Sequence, residues 1–290
     1  MTATSRVLLS LLLAAPNYVA VAPPGLSADA IMARVAVNQD RAEAERSHYV
    51  YVQHARVVSR KGETLMCEQV TDSRVTPSAT GFDSEILKVD GRVRRKHQYV
   101  TYTALPTAKK VADDDVDIEI GDDDRNLVES LRTSFTNAKS RDGINTGLFP
   151  LTSKNQAQYR FQLVGRERTK GRDVFHVEFR PKDKDEFGWK GDAYIDAAAF
   201  QPVVVSTGMA RKIPFAVRTL LGTNLPGLGF TVTYAPLPDG VWLPASFGTE
   251  FKVHLLFFYT RDITINVENR DFVKTHVESN IVGIVEPPER

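Results

Sequence analysis

The chain has one cysteine, Cys67, in 290 residues. A single thiol cannot close an internal disulfide, so even in an oxidising compartment stability must come from packing. Cys67 sits in a strand-like run, Thr64 to Thr71, which reads as a semi-buried strand position; an intermolecular bridge is the alternative. Motifs for common chemistry are absent too. There is no Gly-x-Ser-x-Gly elbow, no Ser-x-x-Lys, no His-Glu-x-x-His and no glycine-rich phosphate loop. The six histidines are scattered. His48 and His54 share a strand face but stand about 20 Å apart, too far for one ion. The acidic run Asp113 to Asp124 lacks the spaced D-x-D-x-D-G loop of a calcium site and reads as a solvated, self-repelling loop. Glu178, Asp192 and Asp196 alternate to the polar side of their strands, where no cleft gathers them for glycoside chemistry. The reading is therefore no catalytic residue, no metal and no cofactor. Net charge is +1, which gives no electrostatic case for nucleic acid as a partner.

Long apolar runs are missing as well. Val7 to Ala15 follows the basic Arg6 but is broken by Pro16, Asn17 and Pro23-Pro24, well short of the roughly 20 residues a membrane span needs. Residues 1–28 read as a signal peptide, cut after Ala22 or after Ala28; a retained anchor is the alternative. The expectation is an exported protein, periplasmic or secreted, not embedded in a membrane. Residues 29–285 form one domain and 286–290 a polar tail. With 42% hydrophobic and 25% charged residues there is material for a sizeable core.

What is present is period-two alternation. From Tyr159 to Ala210, Tyr159, Phe161 and Leu163 alternate with polar residues, and Phe175, Val177 and Phe179 repeat the pattern. Residues 168–172 supply the turn between them, and Pro181 ends the second strand. Residues 194–196 and 202–205 read as two further strands. Ahead of this block, residues 28–46 form a helix capped by Ser27 or Asp29, with a modest stripe of Ile31, Val35, Asn38-Gln39 and Ala42 and a solvated, mixed-charge end at Arg46. Four strands follow at 48–60, 63–73, 84–90 and 93–103, with Asp90-Gly91 as a hairpin turn. Residues 125–138 are helical, Leu127, Leu131 and Phe135 recurring every four residues. The last strands are 230–235, 241–252 and 253–268, their final junction falling at 252–254 or 260–262.

The fold class is mainly β (α+β): a curved, unclosed antiparallel barrel of about eleven strands with an N-terminal helix and a helical lid inserted after the fourth strand. Phe161, Leu163, Phe175, Val177, Phe179, Tyr194, Phe230, Val232, Trp242 and Phe251 form its apolar concave face. Leu127, Leu131 and Phe135 are the lid. Either the helices complete a dry core, or the sheet keeps an apolar hollow gated by the insertion and by residues 213–229.

Two patches resemble a known family: G-R-D-V-F-H-V-E-F-R-P-K with G-D-A-Y-I-D and F-Q-P-V between Gly171 and Val205, and D-G-V-W-L-P at 239–244. They are similar to the periplasmic lipoprotein-carrier (LolA-like) superfamily, which includes outer-membrane lipoprotein-sorting proteins and a regulator that guards an anti-sigma factor. The resemblance implies an unclosed barrel with a helical lid over an apolar cavity, in a monomeric binding protein. It implies a lipid, acyl chain or lipidated protein as partner. Alternatively, the hollow is filled by the protein's own helices, and the chain is an envelope interaction or sensor module acting through a protein partner. The missing lipid-attachment cysteine argues against the membrane-anchored acceptor type.

Overall fold

The computed structural model describes residues 26–78, 81–105, 124–135, 149–183, 188–210, 223–224, 228–255 and 259–275. The expected export signal up to residue 25, the acidic run up to Asp123, the loop at 211–222 and the polar tail 286–290 lie outside the described residues.

Helix α1 (Ala28–Arg46) begins where the sequence asks. Ser27 is extended, and its hydroxyl accepts from the Ala30 amide at 3.1 Å, satisfying one of the donors a helix start leaves unpaired. Ile31, Met32, Val35, Gln39 and Ala42 are buried along one stripe. Arg46 departs from expectation. It is buried rather than solvated, with Nη2 donating to Gln39 Oε1 at 2.6 Å and the guanidinium 5.8 Å from the Tyr234 ring centroid. The long aliphatic stem lets the last turn lie on the sheet while the charge keeps polar company.

The strands are β1 (Tyr49–Lys61), β2 (Thr64–Ser78), β3 (Gly81–Arg95), β4 (Gln98–Tyr102), β5 (Tyr159–Thr169), β6 (Arg172–Pro181), β7 (Trp189–Asp196), β8 (Pro202–Met209), β9 (Thr223–Asn224), β10 (Gly229–Pro236), β11 (Trp242–Leu255) and β12 (Tyr259–Lys274). Helices α2 (Arg125–Phe135) and α3 (Ser153–Gln156) fall between β4 and β5. Eleven strands run β4-β3-β2-β1-β12-β11-β10-β8-β7-β6-β5, and the two-residue β9 pairs β11 off this path. The pairings are antiparallel, and the end strands β4 and β5 do not meet, so the barrel stays open. Neighbours in sequence pair in space except where β8 pairs β10 past the two-residue β9 and where β1 joins β12, which closes the first meander onto the last hairpin.

The β5–β6 turn is as read, with Lys170 and Gly171 at φ of 50° and 77°, the left-handed pair a two-residue hairpin needs. The Asp90-Gly91 turn is not. β3 runs straight through it, and the hairpin to β4 turns at Lys96, whose φ is 56°. Gly91 instead makes room for a ring, since a Cβ there would sit 2.1 Å from Tyr102, its partner on β4. The β11–β12 junction follows the Leu255–Tyr259 pair, between the two positions expected from sequence.

Helix α1 packs on β5 and β11, and α2 on β1 and β2, both on the same face of the sheet. This covered face carries the odd-numbered residues of β1, β6 and β12, and the opposite, open face the alternating polar set.

Candidate functional site

The covered face has two unlike halves. On β5 to β11 it is apolar. Phe161 stands opposite Phe179, Leu163 opposite Val177, and Phe175 opposite Ile195. Val205 and Val232 pair, and Val232 lies opposite Phe247. Rings interlock along it. Tyr159 meets Phe179 edge-on at 5.9 Å, Trp189 meets Phe230 edge-on at 5.1 Å, and Phe230 stacks on Phe247 at 5.5 Å. Phe175, Val177, Phe179, Phe230, Val232, Trp242 and Phe251 are buried here in one cluster, with Phe161 and Leu163 partly buried at its margin.

Tyr194 is the exception among the residues expected on this face. Its pairing partner is His176, not Phe175, so it lies on the open face, its ring stacked on the imidazole at 4.6 Å. Alternation decides this: Ala193 and Ile195, its buried neighbours, take the covered positions. Phe247 and Val205 belong to the apolar half and were not singled out from sequence. Phe247 could have been, because it keeps step with Phe251 and Val253 at period two.

Leu127 and Leu131 of α2 are buried in the same cluster together with Val128, Phe149 and Leu151. The side chain of Phe135 lies outside the described residues. Helix α1 contributes Ile31, Met32 and Val35 and is pinned by amides. Asn38 Nδ2 donates to the carbonyls of Ala199 and Phe200 at 2.9 and 3.1 Å, and Gln39 Nε2 to Gln201 Oε1 at 2.6 Å. Gln156 of α3 donates to the Met32 carbonyl at 2.8 Å.

The other half, on β1, β2 and β12, is mixed: Ala55, Val57, Cys67, Ile263, Ile265 and Val267 belong to the same apolar cluster, but polar side chains are buried beside them. Asp124, just ahead of α2, is 3% exposed and Arg261 8%. Arg261 Nε and Nη2 donate to the two Asp124 oxygens at 2.5 and 2.8 Å. The same carboxylate accepts from Ser59 Oγ at 2.5 Å and Tyr259 OH at 3.1 Å. Four donors on one carboxylate are what a buried charge needs. Burial works against the Arg261 charge, but the Asp124 bond and field outweigh it and hold its pKa up. Burial first, then the Asp124 charge, push the Tyr259 phenol up. One turn along α2, Gln69 Nε2 donates to Glu129 Oε2 at 2.7 Å, and Tyr102 OH donates to Gln69 Oε1 at 3.0 Å. Cys67 is a buried thiol 3.5 Å from Tyr102 OH. None of this network follows from a motif, since its partners lie as far as 137 residues apart.

On the open face, His176 Nε2 lies 2.7 Å from Asp192 Oδ1, and Arg180 donates to Glu178 at 2.9 Å. Glu178, Arg180 and Asp192 border an open hollow of about 480 Å³ together with Lys190 and Ser206. Asp196 is buried rather than solvent-facing. It accepts from the amides of Ala198 and Ala199 and from Arg172 Nη1, closing the β7–β8 turn on which α1 rests. Among the described residues, no three His, Cys, Asp or Glu side chains gather where a metal ion could sit.

No family model matches the chain, and no curated protein matches it in sequence. Solved structures do resemble it. A candidate outer membrane lipoprotein-sorting protein domain from Vibrio parahaemolyticus is 14% identical, covering 86% of this chain and 95% of its own, with a TM-score of 0.40. A DUF1329 family protein from Desulfovibrio piger is 10% identical over 89% of this chain and 95% of its own, at 0.39. A LolA superfamily protein from Nitrosomonas europaea is 13% identical over 87% and 95%, at 0.34. At such scores the likeness is one of layout, and the open antiparallel barrel stands on this chain's own strand order.

Proposed function

We propose that the chain is an exported, periplasmic or secreted binding protein that holds a hydrophobic ligand against the apolar half of the covered face. The ligand is an acyl chain, a lipid or the lipid of a lipidated protein. One observation carries this reading. The apolar margin made by Tyr159, Phe161 and Leu163 on the edge strand β5 and Trp189 at the start of β7 stays only partly buried with α1 and α3 in place. Large apolar side chains left half-wet beside a dry cluster are a surface prepared for more apolar contact. Phe175, Val177, Phe179, Phe230, Val232, Trp242 and Phe251 continue that surface inward.

Helix α2, with Leu127, Leu131 and Phe135, serves as the lid. Each buried methylene contributes about 0.8 kcal/mol, so a chain of about a dozen gains roughly 10 kcal/mol, enough to compete with one short helix for the same face. A second reading rests on how completely α1 and α2 already fill the face: Ile31, Met32, Val35 and Val128 are fully buried. On that reading the helices are permanent core and the protein works through a protein partner.

Native mass spectrometry of protein taken from its own envelope fraction separates the two. The first predicts a monomer carrying a lipid-sized mass that leaves on denaturation; the second predicts the bare chain alone. N-terminal sequencing of the same material tests export, with a start near Pro23 or Asp29.

A further inference from the structure

Among the described residues, β4 and β5 are the two strands with a neighbour on one side only, and these edges are defended unequally. β5 carries a bulge between Leu163 and Gly165, bears Arg160, Arg166, Glu167 and Arg168, and has α1 and α3 packed beside it. Bulges, charges and cover are the usual devices that keep an edge strand from pairing with another chain. β4 has none of them. Its five residues, Gln98-Tyr99-Val100-Thr101-Tyr102, include no charge and no proline, its register with β3 is unbroken, and no described residue pairs with its outer side. Tyr99 is 50% exposed and Val100 43%.

The surroundings of that edge are strongly cationic. The adjoining β3 end and turn carry Arg92, Arg94, Arg95 and Lys96, and Arg60 and Lys61 stand at the neighbouring β1–β2 tip. Glu68, on β2, is already taken by Arg56 and Arg92, at 2.5 and 2.6 Å. The whole chain is nearly neutral, so this concentration is local.

We infer that β4 is a docking edge that takes an additional strand from a partner protein, an extended peptide segment rich in Asp or Glu. An open ladder supplies the backbone pairing, Tyr99 and Val100 the side-chain contacts, and the arginines the selection for acidic sequence. A second copy of this chain fits poorly. Pairing β4 with β4 would bring two surfaces of the same positive charge close to each other, and such surfaces repel.

The test uses the intact mature chain and fluorescent peptides followed by anisotropy. The probe is a capped Val-Glu repeat, compared with a Val-Lys repeat and with the Val-Glu peptide methylated on alternate backbone nitrogens. The expected result is saturable binding of the acidic probe that weakens with salt, with both comparison peptides at least about tenfold weaker. Arg94→Glu combined with Arg95→Glu, both on an exposed hairpin, weakens the acidic probe by a similar factor while leaving circular dichroism unchanged. Equal binding of the methylated peptide would show that no strand is added. Equal binding of the Val-Lys peptide would remove the acidic selection. Concentration-dependent dimers in sedimentation velocity, abolished by Val100→Pro, would make a second copy the occupant; any of these three results overturns the inference.

Discussion

The two halves of the covered face share one apolar cluster, but only one of them adds a buried polar network to it. The β5–β11 half uses rings and branched aliphatics, and its helix, α1, lies on it through Ile31, Met32 and Val35 with amide pins at the turn. The β1–β2–β12 half buries Ser59, Gln69, Thr71 and Arg261, and its helix, α2, is fixed at its start by the Asp124 carboxylate and one turn on by Glu129. Apolar burial is non-directional and tolerates small shifts, whereas a four-donor carboxylate holds one geometry or fails. Both helices set apolar side chains in the shared cluster, Ile31, Met32 and Val35 from α1 and Leu127, Val128 and Leu131 from α2, and the difference lies in the buried ion pair and the Glu129 bond that also tie α2 to its strands. Under the lid proposal, α2 is released when those directional bonds break and a ligand replaces its apolar contacts.

The largest effect belongs to the apolar half. Phe179→Ala removes a fully buried ring between Phe161 and Gly191 and should cost about 3–5 kcal/mol in denaturant unfolding, with little change from low to high salt. A loss under about 1 kcal/mol would mean that this half is already loosely packed and that the contrast is false.

Next comes Arg261→Met, which strands a buried carboxylate and should cost about 3 kcal/mol. Combining it with Asp124→Leu should recover most of that loss, because a well-packed apolar pair replaces an ion pair at little cost. The single variant should also bind a hydrophobic dye while keeping the sheet's circular dichroism. Complete unfolding would instead make α2 as integral as α1.

A smaller effect is expected at the α1 seat. Burial alone would raise the Asp196 pKa, but the amides of Ala199 and Ala198 and the Arg172 guanidinium outweigh it and hold the carboxyl below its ordinary range. A carboxyl whose folded pKa lies below its unfolded value adds stability above the unfolded one and loses it as pH falls through the folded one. Stability should therefore decline as the medium is acidified below about pH 4. Asp196→Asn should be less stable at neutral pH and flatter in that acid range; an unchanged acid slope would assign the decline to other carboxylates.

Where side-chain period was the signal, the sequence was readable. Phe175, Val177 and Phe179 follow it, as do Val232 and the Ile31–Val35–Ala42 stripe. Tyr194 departs from the expected face because parity outranks residue type, and its buried neighbours Ala193 and Ile195 take the covered positions. Asp90-Gly91 misled for a different reason. The glycine is required by the ring of Tyr102 on the next strand, and local turn statistics cannot see a cross-strand contact. Arg46 looked solvated among its charged neighbours because only the docked helix shows which of them lies on the sheet. The polar network was invisible for the same reason on a larger scale: Ser59, Asp124 and Arg261 become partners only once β1 joins β12.

Hydrogen exchange with and without a single-chain phospholipid, read peptide by peptide, tests the difference between the halves most directly. A ligand that enters the covered face by taking the place of α2 predicts faster exchange across residues 125–135 when lipid is added, while residues 28–46 stay as protected as before. Unchanged exchange in both helices, or equal loosening of both, would contradict it.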